Sequence, residues 1–143
     1  MKKNTLMLAL VSGILLMAGA AVQAQSSSTT RASIQFDFAA NNVTMKAGDY
    51  TIRKGNLQTM VLRSADAKSN VFVLAQQQIS VPASGRPMRL VFHRYGNSYF
   101  LSEIWTNAKS GVRLSPSKNE RAIAQGLARL NQRAETVEVA LAR

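Results

Sequence analysis

Arg89-Leu90-Val91-Phe92-His93-Arg94-Tyr95-Gly96-Asn97-Ser98-Tyr99-Phe100-Leu101-Ser102-Glu103-Ile104-Trp105-Thr106 is the stretch on which the fold class turns. Aliphatic and aromatic residues dominate both arms, and such side chains fit the pleated, half-buried surface of a strand. Gly96-Asn97 between them reads as the two-residue loop of a tight hairpin. The stretch therefore predicts a β-hairpin with arms over 89–95 and 98–106. In that register His93 stands opposite Phe100, with Ser98 and Ser102 as diagonal neighbours on the same face.

Upstream, the apolar residues recur with a period of two. Ala32, Ile34, Phe36 and Phe38 alternate with Arg31, Ser33, Gln35 and Asp37, which predicts one strand with a buried and a wet face. Asn41-Asn42 break it, Val43 to Lys46 resume it, and Ala47-Gly48-Asp49 form a turn into Tyr50-Thr51-Ile52-Arg53. Residues 57–63 are a further strand, closed by the polar cluster 64–70. Val71 to Ala75 is apolar throughout, as expected of a strand covered on both faces. Pro82, Gly85 and Pro87 mark a loop before the hairpin.

Downstream the pattern changes at Ser115-Pro116-Ser117. Ser117 followed by Glu120 is a capping box, in which each side chain satisfies a backbone N–H left open by the first helical turn. A helix over 118–132 follows, with Ile123, Leu127, Leu130 and Ala134 on one side and Lys118, Arg121, Gln125 and Arg129 on the other. Val137, Val139 and Leu141 alternate with Glu138 and Ala140, which fits a last strand or a continued helix. Seven or eight short strands with one late amphipathic helix predict a mainly β domain, an antiparallel small barrel or sandwich. Strands do not alternate with helices, which argues against a parallel α/β sheet.

The N-terminus has the form of an export signal. Lys2 and Lys3 precede an uncharged run from Leu6 to Ala20, and Val22-Gln23-Ala24 offers a cleavage site before Gln25. The expected organisation is a signal peptide over 1–24, a polar linker over 25–31 and a single β-rich domain over 32–143, placed in the periplasm or outside the cell. Cleavage leaves 119 of the 143 residues, and without Lys2 and Lys3 the 18 basic residues become 16 against 7 acidic ones. The mature chain thus carries a formal charge of about +9 and should attract polyanions. With no cysteine, the core must hold the fold without disulfides.

Four stretches, Ile34 to Phe38, Ala47 to Ile52, Leu62 to Asp66 and above all Leu90 to Trp105, give the sequence its likeness to known proteins. They resemble an uncharacterised family of small exported β-rich proteins of Gram-negative soil bacteria. In that family a proline usually precedes the Ala-Gly pair, where this chain has Lys46. The resemblance implies an exported, largely β domain and brings no activity with it.

Candidate chemistry is sparse. His93 is the sole histidine, and a Ser-His couple with Ser98 or Ser102 has no visible carboxylate to orient it, since Glu103 points to the opposite hairpin face. One histidine, no cysteine and seven scattered acids offer no ligand cluster for zinc or calcium. No glycine-rich turn joins a strand to a helix, so neither a nucleotide cofactor nor specific nucleic-acid recognition is expected. His93, Tyr95, Tyr99, Phe100 and Trp105 in one hairpin are candidates for holding an apolar small ligand or a glycan. Lys118, Arg121, Arg129 and Arg133 are candidates for an anionic envelope polymer or membrane surface, alone or in one basic surface with Arg53, Lys54, Arg63, Lys68 and Arg113. The expected role is a non-catalytic binding or structural module of the cell envelope. The alternatives are a basic protein that binds polyanions or membrane surfaces and, third, a small hydrolase built on His93 and Ser102.

Overall fold

The computed structural model describes residues 29–56, 58–82 and 86–143. The expected signal peptide, the linker up to Ser28, Leu57 and Gly85 lie outside the described residues. In chain order the elements are β1 (Thr30–Ile34), β2 (Phe38–Ala40), β3 (Val43–Met45), β4 (Gly48–Lys54), β5 (Thr59–Ser64) and β6 (Asn70–Ser80). There follow β7 (Arg89–Tyr95), β8 (Ser98–Trp105), β9 (Ser110–Leu114), α1 (Lys118–Ala128) and β10 (Glu135–Ala140). The domain is mainly β, as the alternation predicts, and its ten strands belong to one sheet.

That sheet runs β1-β4-β5-β6-β9-β8 and continues through β7 to β10, while β2 and β3 attach to β8. β6 joins the two halves. It pairs with β5 over 70–74 and with β9 over 75–80, and a bulge between Ala75 and Gln77 bends it. The two ends of the sheet meet again at a single bridge, where Arg31 and Ala142 exchange backbone hydrogen bonds of 2.7 and 2.9 Å. One bridge is no ladder, so the sheet wraps its core without closing into a barrel.

The core lies between the halves. Ile34, Ile52, Leu62 and Val73 enter it from one side and Leu90, Phe92 and Ile104 from the other, each essentially without solvent exposure. Phe38 bridges them, its ring 5.4 Å from Tyr50 and 5.3 Å from Phe92 in edge-to-face packing. Replacing such a ring by alanine typically costs about 3–5 kcal/mol.

Several expectations need correction. The strand expected over 32–38 is interrupted at 35–37, because Asp37 accepts from the Lys46 ammonium and the Ala47 N–H and pins a bend there. The inward alternation survives the bend, with Ala32, Ile34 and Phe38 all buried, but the partner changes from β4 to β3. Thr30 and Arg31, expected in the linker, already belong to β1. Val71 to Ala75 is covered on one face only, since Phe72 and Leu74 are 62% and 66% exposed. The strands covered on both faces are β7 and β8, where Val91, Phe100 and Trp105 are buried on the side opposite Leu90, Phe92 and Ile104. Strand β9 was hidden by its shortness; Asn107 turns the chain into it by accepting from the Lys109 and Ser110 N–H groups.

The helix ends at Ala128 rather than Gln132. Asn131 takes a left-handed φ of 55°, and the Gln132 and Asn131 N–H groups donate to the Leu127 and Ala128 carbonyls, which closes the last turn as a Schellman cap. The chain after it is strand β10, not a continued helix.

Candidate functional site

The hairpin forms with the register its sequence dictates. Tyr95 pairs with Ser98 and His93 with Phe100 around Gly96, whose φ of 60° suits the first position of a tight turn. A bulge between Val91 and Phe92 then sets Ser102 out of register and buries it. No hydroxyl is hydrogen-bonded to the His93 ring among the described residues. What His93 does meet is Glu120, whose Oε1 lies 2.9 Å from Nδ1.

Glu120 is the residue that sequence reasoning placed elsewhere. Half of the capping box is present, with the Glu120 N–H donating to Ser117 Oγ at 3.1 Å. The other half is diverted: the Glu120 carboxyl, 5% exposed, turns away from the helix terminus and binds His93 on the sheet. This contact fastens the first turn of α1 to the hairpin. Further along α1, Ile123 and Leu127 are half-buried, while Lys118, Arg121 and Gln125 are exposed, so the expected two-sidedness holds. Leu130, in the turn beyond, is 67% exposed.

The five candidate ligand-binding residues separate into three places. His93, Tyr95 and Phe100 stay together, with ring centroids 6.4 and 5.9 Å apart in sequence along that trio. Burial, and secondarily the Glu120 charge, push the Tyr95 phenol above its ordinary range. Tyr99 lies on the other face, stacked on Phe36 at 3.9 Å with the Arg94 guanidinium 5.5 Å from its ring. Trp105 stands at the far end of the hairpin, buried, with the Arg89 guanidinium 4.6 Å over its ring and its Nε1–H donating to Glu103. Phe100 and Trp105 are thus packing residues.

The nine cations do not share one surface. Arg113 is engaged by Glu103 through Nε and Nη2 at 3.0 and 2.8 Å. Lys118, Arg121 and Arg129 are exposed on or just past α1. Arg133 lines an open cleft of about 540 Å³ with Tyr95, Ile123 and Leu127 between the hairpin tip and the helix. Arg53 and Arg63 belong to the outer face of β4 and β5, in the other half of the sheet.

A larger cleft occupies the seam where β1 and β10 diverge from their bridge. It measures about 810 Å³ and is lined by Ala32, Tyr50, Val139, Leu141 and Ala140, with Arg31, Ser33, Asp49 and Thr51 at its rim. Neighbouring antiparallel residues alternate in the direction of their backbone groups. Val137, Val139 and Leu141 face β7 and Met88, so Thr136, Glu138 and Ala140 turn their N–H and C=O toward the seam. The cleft therefore combines an apolar wall with unpaired strand edges among the described residues. Neither feature was legible in the sequence, because the seam joins residues at opposite ends of the domain.

Among the described residues no group of three histidine, cysteine or acidic side chains is placed to hold a metal ion, and no helix is long and apolar enough to cross a membrane. No protein-family model matches the chain, and no curated protein or solved structure matches it either.

Proposed function

We propose that the chain is an exported, non-catalytic β domain that serves as a binding module of the cell envelope and takes an apolar or amphipathic small molecule into the β1–β10 cleft. The cleft carries this reading. Its volume of about 810 Å³ falls within the roughly 300–1,000 Å³ of small-molecule sites. Its wall offers Tyr50 and Leu141, and its edges offer hydrogen-bonding groups for a polar end. The basic, uncharged and small-residue succession of the N-terminus supports export. Glu120 supplies the carboxylate on His93 that the sequence did not show. A non-catalytic role is supported instead by the lack of a nucleophile: the bulge displaces Ser102, and among the described residues no hydroxyl is hydrogen-bonded to the His93 ring.

The test is a fluorescence titration with the neutral apolar probe N-phenyl-1-naphthylamine. Ser33→Trp and Ala140→Trp fill the cleft from exposed positions and leave the core intact. The expected result is saturable binding that high salt leaves unchanged and that both variants weaken by about tenfold or more. Binding indifferent to both substitutions would remove the cleft from the account.

A further inference from the structure

We infer that the outer face of β4, β5 and β6 is a docking surface for an anionic lipid bilayer. The ladder register sets out what this face carries. One row across it reads Arg31, Thr51, Arg63 and Asn70; the next reads Arg53, Val61 and Phe72; the last pairs Thr59 with Leu74. Their inward neighbours Ile52, Leu62, Met60 and Val73 are all buried, which fixes these rows on the solvent side.

Charge and apolarity are arranged together there. Arg31, Arg53 and Arg63 are exposed, and among the described residues none of them forms an ion pair. No acid stands in these three rows; Asp49 lies one row further out opposite Ser33, and Asp66 lies in the turn after β5, where its carboxylate accepts from the Ser64 hydroxyl and the Lys68 N–H. Beside the arginines Phe72 and Leu74 present their side chains to water from the middle of a strand, at 62% and 66% exposure. Two large apolar side chains in a regular strand, outside any turn, call for a cover.

The partner's chemistry follows from that combination. Unpaired guanidinium groups select an anion, and Arg side chains can lie along an apolar surface while holding their charge at its polar edge. A hydrophilic polyanion would satisfy the cations and leave Phe72 and Leu74 wet. A second copy docked through the same face would bring like charges together, because a twofold contact sets the same patch against itself. An anionic lipid layer answers both, with headgroups for the arginines and acyl chains for the Phe72 and Leu74 side chains. Arg31 and Thr51 belong to this face and also to the rim of the β1–β10 cleft. Docking would therefore set the cleft beside the lipid, although the inference does not depend on the cleft.

Co-sedimentation with phosphatidylcholine vesicles, with and without phosphatidylglycerol, tests it. The domain should bind only the anionic vesicles, and more weakly as salt rises. Arg53→Ser and Arg63→Ser should each lower the affinity about fivefold. Phe72→Ser with Leu74→Ser should lower it at least about tenfold at unchanged thermal stability, since both side chains are already in water. Arg121→Ser with Arg129→Ser should bind as the parent does. Equal binding to neutral vesicles, no binding, an equal loss from the helix variant, or capture by heparin with none by vesicles would each overturn the assignment.

Discussion

The pairing of His93 with Glu120 decides how the helix is held. A carboxylate that is 5% exposed needs a partner, and His93→Ala removes the one it has on the sheet. The expected cost is about 2 kcal/mol, read as a lower urea midpoint at unchanged slope. Glu120→Gln keeps a group that can hydrogen-bond and should cost less. Tyr95 reports on the same spot. Its phenol is raised first by burial and then by the Glu120 charge, so it holds its proton more tightly in the folded state. The associated stability is whole below the ordinary tyrosine range and is lost as pH climbs through the raised value. Glu120→Gln should move the Tyr95 titration, followed by NMR, part of the way back down, with the part due to burial remaining; a titration that does not move would dissociate Tyr95 from the pair. The capping signal Ser117 to Glu120 was legible, because it is local. The use of Glu120 by His93 was not, because 27 residues separate them and only the packing of helix on hairpin brings them together.

The elements that local chemistry specifies formed where the sequence put them. Gly96-Asn97 set the hairpin register, and the alternation of Ala32, Ile34 and Phe38 set which side of the chain is buried. Elements whose surroundings are set by distant strands were harder to read. An apolar run such as Val71 to Ala75 has the same composition whether one face is covered or two, so Phe72 and Leu74 gave no sign of lying in water. The short β9 is constrained just as tightly by its neighbour. A Cβ on Gly111 would come within 2.7 Å of the Trp105 ring and 2.8 Å of the Ile104 carbonyl oxygen. Gly111→Ala should therefore destabilise the domain by about 1–3 kcal/mol, measured by denaturant unfolding. A neutral result would mean that β9 and the hairpin do not approach so closely.

The sheet as a whole is a wrap whose two ends touch at Arg31 and Ala142 and then part. This parting creates the cleft, and it leaves one edge of β10 without a strand among the described residues. Amide hydrogen exchange along β10, residue by residue in the free protein, tests this most directly. Val137, Val139 and Leu141, bonded to the β7 side, should be protected, while Thr136, Glu138 and Ala140 should exchange far faster. Uniform protection of all six amides would mean a closed barrel with no seam, and would contradict the account.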